Sequence, residues 1–153
     1  MRKEIKLEFD AVSENEGLAR VVIAAFITQL DPTLEEVQDV KTAVSEAVTN
    51  AIVHGYEEKG GKVALHASLE NGLLEVEIAD KGVGIENITR AMQPLFTTKP
   101  DSERSGMGFA FMEAFMDKVE VESKVGEGTT VHMWKAFREH SLLKASEYSC
   151  SRG

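Results

Sequence analysis

Cysteine is almost missing from this chain of 153 residues: Cys150 is the single one, and it lies in a polar tail. No intrachain disulfide can form, and such usage points to a reducing compartment, the cytoplasm. Long apolar runs are missing as well. The longest, Val21 to Ile27, falls far short of the roughly 20 residues a membrane-crossing helix needs, so no membrane role is expected. The start, Met1-Arg2-Lys3-Glu4-Ile5-Lys6, has charge but no apolar stretch after it, which argues against a secretory signal. There is no excess of basic residues either, since the formal net charge is −9. Direct nucleic-acid binding is therefore not expected, whereas basic protein partners suit such a surface. Several motifs of nucleotide and metal chemistry fail too. Gly55 to Lys62 lacks the phosphate-loop spacing, neither glycine-rich loop fits G-x-G-x-x-G, and no Cys/His group has metal-ligand spacing.

What is present reads as one globular domain, with 42% hydrophobic and 28% charged residues. Residues 1–138 form that domain, and 139–153 are a polar tail expected to fray. Lys3 to Asp10 alternates polar and apolar side chains as a half-buried strand does. Ser13 with Glu16, and Thr33 with Glu36, each match a capping box. They open helices expected over Glu14 to Leu30 and from Thr33 to about Tyr56, with Asp31-Pro32 as the break. Lys62 to Glu70 and Leu73 to Asp80 are strands joined by Asn71-Gly72, a strong hairpin signal. Periodicity then lapses from Lys81 to Ser105, apart from a short helix expected around Asn87 to Met92, as in a lid or binding loop. Gly106 to Asp117 reads as helix, and Lys118 to Val125 and Thr129 to Phe137 as strands. Segregated helices and strands imply an α/β (α+β) two-layer sandwich, its sheet mixed but mostly antiparallel and covered on one face.

The helix after Thr33 carries two rows. Val37, Val40, Val44, Val48 and Ala51 form an apolar stripe at helical spacing. Glu46, Asn50 and His54, four apart, form a polar row expected to look away from the core. Such a row is either a solvated face or a set of working groups. Ala43, Ala47 and Ala51 keep the neighbourhood small, and Asn50 is a poor helix former, which favours work. Asn50 can offer an amide oxygen to Mg²⁺, which takes few protein ligands and keeps waters and phosphates for the rest. Glu46, one turn earlier, can accept a proton from an attacking hydroxyl. His54 is either a third member or a histidine favoured by the helix C-terminus.

Two glycine loops follow. Asp80-Lys81-Gly82-Val83-Gly84 leaves a strand, so Asp80 can accept a hydrogen bond from an exocyclic amine such as that of adenine. Its alternative is a plain tight turn. Ser105-Gly106-Met107-Gly108 opens a helix, whose free N–H groups make an anion site. Between the loops, Thr97, Thr98, Lys99 and Arg104 have the chemistry of phosphate contacts, or of ordinary loop residues. Gly126 to Thr130 is a hairpin turn first, and a further nucleotide contact through Thr130 is its alternative. Arg20 interrupts an apolar stretch, as a partner contact or as a snorkelling side chain.

In their order, Glu46-x-x-x-Asn50, Asp80-x-Gly82-x-Gly84, Leu95-Phe96-Thr97-Thr98-Lys99 and Gly106-x-Gly108 resemble the N, G1, lid and G2 boxes of the GHKL ATPase/kinase superfamily. The resemblance implies the Bergerat ATP-binding fold. Ser45 to Tyr56 and Pro94 to Pro100 are similar, within it, to the family of anti-sigma F factors of spore-forming bacilli. That likeness implies a homodimer that binds sigma F and phosphorylates a serine of an anti-anti-sigma protein with Mg-ATP. A nucleotide-controlled binding module without phosphoryl transfer is the alternative. Site by site it implies Glu46 as general base, Asn50 on Mg²⁺, and Asp80, Gly82 and Gly84 at adenine. Thr97 and Thr98 fall in the lid, with Gly106, Met107 and Gly108 at the phosphates. Met107 and Phe109 replace leucines common in the second glycine box. The length also leaves no room upstream for a hairpin bearing a phospho-accepting histidine, so the acceptor is expected in another protein.

Overall fold

The computed structural model describes residues 1–92 and 108–137. Five strands make one sheet: β1 (Lys3–Asp10), β2 (Lys62–Glu70), β3 (Leu73–Asp80), β4 (Lys118–Lys124) and β5 (Gly128–Ala136). Their order across the sheet is β1-β2-β3-β5-β4, and each neighbouring pair is antiparallel. The parallel pair that a mixed sheet requires does not occur among the described strands. After β3 the chain crosses to the sheet edge as β4, then β5 turns back into the gap between them. The β2–β3 hairpin has the turn its sequence predicts. Asn71 and Gly72 hold φ of 51° and 76°, the two positive values of a type I′ turn.

Helices α1 (Glu14–Ile27), α2 (Leu34–Asn50) and α4 (Gly108–Phe115) pack on one face of that sheet. The short α3 (Ile88–Ala91) follows the first glycine loop. Alternation decides which strand residues meet the helices: Val63, Leu65, Leu74, Val76, Ile78 and Met133 are all buried, and the residues on either side of them in the strands are more exposed. Ile23 and Ile27 of α1, Val40, Val44 and Val48 of α2, and Met112 of α4 fill the other side. Full burial of each such side chain is worth about 1.5–3 kcal/mol. The core therefore lies where the amphipathic stripes predicted it.

The two capping boxes fare differently. Thr33 and Glu36 make both reciprocal bonds, at 3.1 and 2.9 Å, and α2 begins there. Ser13 makes no side-chain cap, although α1 starts beside it. Glu16 is drawn off instead to accept from the Ser45 hydroxyl on α2 and to pair with Arg20 at 3.4 Å. A tertiary contact between helices thus replaces a local one. The helix ends also change character. Residues Thr28–Leu30 tighten into a 3₁₀ turn, and Ala51–Gly55 widen into a π-helical turn before the chain leaves at Tyr56. Such turns recur at functional sites. Among the described residues no helix is long and apolar enough to cross a membrane.

Candidate functional site

Small residues on α2 set the layout. Ala43 and Ala47 are fully buried, so α4 lies close over this part of the helix. Beyond that contact a cavity of about 800 Å³ opens between α2, the end of β3 and the N-terminus of α4. Its polar wall includes Asn50, His54, Asp80, Gly84 and Thr129, with Gly108 at the start of α4. Ala47, Ile78, Val83, Ile85, Phe109 and Val131 make it apolar elsewhere. A flat, largely apolar ring with one or two polar edges fits such a space.

Asp80 ends β3 on the same face as Leu74, Val76 and Ile78, and so points towards the helices. Burial raises its carboxyl above the usual aspartate value, opposed by backbone N–H donation from Gly82 and Thr129. The Gly82 bond to Oδ1 is 2.9 Å long. One oxygen is thereby occupied by the protein's own backbone. Thr129 faces Asp80 across the β3–β5 pair, and Ser123 faces Thr129 across β5–β4. The Ser123 hydroxyl lies 2.7 Å from that of Thr129 and accepts from the Ile85 N–H at 2.7 Å. This row ties the glycine loop to the sheet.

The glycines are required by close approach. A methyl group at Gly82 would lie 2.0 Å from the Gly55 carbonyl oxygen, and one at Gly128 would lie 2.1 Å from that of Asp80. At Gly108 the obstacle would be the Asn50 side chain, 2.8 Å away. Gly84 holds φ of 78° with the Lys124 carbonyl 2.3 Å from its missing Cβ. The Gly82→Ala variant sets backbone against backbone and should lose about 1–3 kcal/mol of stability. In a chain of this size that lowers Tm by about 2–4 °C per kcal/mol, readable by circular dichroism. An unchanged melt would show that the loop tolerates the displacement.

Of the residues singled out in the sequence, Asn50, His54, Asp80, Gly84 and Gly108 share the cavity. Gly82 stands behind it, pressed against Gly55. Glu46 does not line the cavity. It is buried, and lines a smaller polar pocket of about 200 Å³ with Arg20, Gln38, Lys41, Thr42 and Ser45. The polar row on α2 is therefore no solvated face, but it serves two pockets rather than one. Thr130 does not line the cavity either. Strand alternation turns it to the other face of the sheet and gives the cavity wall to Thr129 and Val131. The period-2 pattern running from Asp80 across to β5 could have signalled this. Gly55 and Tyr56 carry no such signal, since their partners Val83 and Lys81 lie far along the chain. Thr97, Thr98, Lys99, Arg104, Gly106 and Met107 lie outside the described residues.

The residues present fit a purine nucleotide with a hard cation. Asp80 supplies a half-buried acceptor in an apolar wall, Asn50 an amide oxygen, and Gly108 a place on α4 without a side chain beside Asn50.

Comparison with known proteins agrees in kind. The family model described as the histidine kinase-like ATPase domain matches residues 9–135. The chain is 58% identical over 137 residues to the anti-sigma F factor of Clostridium acetobutylicum, covering 90% of this chain and 96% of that one. Against the anti-sigma F factor of Geobacillus stearothermophilus the identity is 56% over 144 residues, with 94% and 99% covered. Among solved structures, the RsbU and RsbW domains of a Mycobacterium tuberculosis protein superpose with a TM-score of 0.62 at 17% identity, over 88% of this chain and 32% of that one. The catalytic domain of the histidine kinase ThkA gives 0.52 at 18% identity, over 86% and 95%. At such identities these two establish the fold alone.

Proposed function

This chain belongs to the histidine kinase-like ATPase domain family, and from that membership we propose that it is an anti-sigma factor acting as an ATP-dependent protein kinase. Membership implies use of a nucleotide. The finer reading has it hold a sporulation sigma factor, sigma F, and phosphorylate a serine of the anti-anti-sigma protein that opposes it. The observation that carries it is one cavity joining Asn50, Asp80 and Gly108, in a chain 56–58% identical to anti-sigma F factors over nearly their whole length.

In this reading Asp80 accepts from the adenine amine, and Val83, Ile85 and Val131 flank the ring. Asn50 holds Mg²⁺, which when bound would offset charge on the phosphates. His54 closes the cavity near Asn50. Thr97, Thr98, Lys99, Arg104, Gly106 and Met107 belong to the lid and phosphate side. Glu46 takes the proton of the acceptor serine as the phosphoryl group transfers, while positioning and charge stabilisation supply most of the catalysis. Arg20, beside Glu46 in the small pocket, is the proposed partner contact. The protein works as a homodimer in the cytoplasm, where its net charge of −9 helps it hold a basic surface.

The second reading is a binding module whose nucleotide sets conformation without transfer. One observation favours it: Glu46 lines the small pocket and not the cavity. Incubation with γ-labelled ATP, Mg²⁺ and a lysate of sporulating cells separates the two. Acid-stable label on a second protein supports the serine kinase. Acid-labile label would place the phosphate on histidine, and bound ATP with no label would leave the module. Asn50→Ala should lower ATP affinity in Mg²⁺ by about 10- to 100-fold, to the value seen in chelator. Unaltered calorimetric affinity in Mg²⁺ would remove Asn50 from the metal.

A further inference from the structure

The turn that carries Asp80 leaves three successive N–H groups to be satisfied, and each is satisfied differently. Gly82 donates to the Asp80 side chain at 2.9 Å. Val83 donates to the Gly55 carbonyl at 2.8 Å. Lys81 donates to the Tyr56 hydroxyl at 2.8 Å, and that hydroxyl donates in turn to the Lys62 carbonyl at 2.5 Å. A single phenol therefore joins the exit of the π-helical turn, the first residue of β2 and the loop directly after β3.

The surroundings hold the ring in place. Gly61 lies flat against it, since a Cβ there would come 2.4 Å from a ring carbon. The chain reverses beneath the ring through Glu57 and Glu58, both in the left-handed region at φ 53° and 62°. Two non-glycine residues in that region in succession are held at an energetic cost, and such strain gathers where geometry matters. The reversal is closed by Glu58 N–H to Ile52 O at 3.0 Å and Lys59 N–H to Tyr56 O at 2.9 Å. On the neighbouring residue, Gly55 leaves no room between the helix end and the Asp80 carboxylate, 2.9 Å from where its Cβ would be.

We propose that Tyr56 is a positioning residue, whose hydroxyl latches Lys81 and so sets the direction in which the Asp80 carboxylate faces the ligand. The proposal rests on the reading of the cavity as an adenine-nucleotide site. The latch touches no ligand itself. It fixes the turn on one side while Gly55 fixes it on the other, so the carboxylate keeps its aim without a bound base. Losing the hydroxyl frees the Lys81 N–H to water and loosens the start of the turn, which the Gly82–Asp80, Val83–Gly55 and Gly126–Val83 bonds still hold.

Tyr56→Phe tests this, because the ring and its packing on Gly61 stay. The expected result is a loss of about 3- to 10-fold in affinity, the same factor for ATP and for adenosine, as one hydrogen bond commands. KM for ATP should rise by that factor while kcat holds. Amide exchange at Lys81 should accelerate, with Tm little changed. In an Asp80→Asn background the substitution should have no further effect on adenosine. Wild-type affinity for adenosine, or unchanged exchange at Lys81, would overturn the proposal. So would a fall in kcat with KM unmoved, which marks a role outside base recognition. If the parent protein bound no ATP at all, the proposed function would fall with it, whereas ATP binding untouched by Tyr56→Phe removes the latch alone.

Discussion

Asp80→Asn is expected to lower ATP affinity by about 10- to 150-fold, the worth of a hydrogen bond to a charged acceptor. The geometry makes the change worse than a loss of charge. Oδ1 of Asp80 accepts the Gly82 N–H at 2.9 Å, so an amide there keeps its oxygen on Gly82. Its NH₂ then meets the exocyclic amine of adenine, donor against donor. Guanine carries an acceptor at that position, so the preference for ATP over GTP should shrink. Acid should mimic the substitution. Burial holds the Asp80 carboxyl above the usual aspartate value, so protonation begins at a higher pH than for an exposed aspartate. ATP affinity should fall as pH drops through that raised value, and the Asp80→Asn variant should not follow. Stability runs the other way. The proton-linked contribution of a raised carboxyl is full below the unfolded value of 3.8 and is lost as pH rises through the folded one. The ionised form of Asp80 is thus kept for binding at some cost to the free protein.

Glu46→Gln should separate binding from transfer. Glu46 is 7% exposed and lines the small pocket beside Arg20 and Ser45, apart from the main cavity. ATP affinity should therefore stay within about threefold of the parent, while phosphoryl transfer falls by about 10²- to 10⁴-fold, as for loss of a general base. Glutamine keeps the volume and still hydrogen-bonds, so the melt should change little. The readout is label transferred to the acceptor protein in a single turnover. Transfer at the parental rate would take Glu46 out of the chemistry and leave the nucleotide as a conformational signal.

The fold was largely open to reading because its signals are local. Asn71-Gly72 demands positive φ at both positions, and β3 beside it alternates on the covered face. Thr33 and Glu36 lie three apart and need no distant partner, so their box forms as predicted. Ser13 and Glu16 show the same pattern and fail, because Ser45, far along the chain, competes for the carboxylate. Sheet order was less open. Nothing local tells β5 to enter the gap between β3 and β4.

The site divides in the same way. Asp80, Gly84 and Gly108 announce themselves by type and position, and the cavity unites them with Asn50. That Glu46 turns to another pocket four residues earlier on the same helix depends on how α1 packs against α2. The helical period alone leaves a rotation of this size open. Thr130 turns away from the cavity for a smaller reason: a slip of one residue in a strand reverses the face. The Tyr56 bonds to Lys62 and Lys81 close only when three segments meet, so no spacing in the sequence could show them.

The most direct test of the nucleotide site is calorimetric titration of the parent and Asp80→Asn proteins with ATP and GTP in Mg²⁺ at neutral pH. The expected result is ATP preferred over GTP by the parent, with the ATP affinity of the variant lower by about 10- to 150-fold and the preference reduced. Equal binding of ATP by the two proteins would contradict adenine recognition at Asp80, and with it the assignment of the cavity.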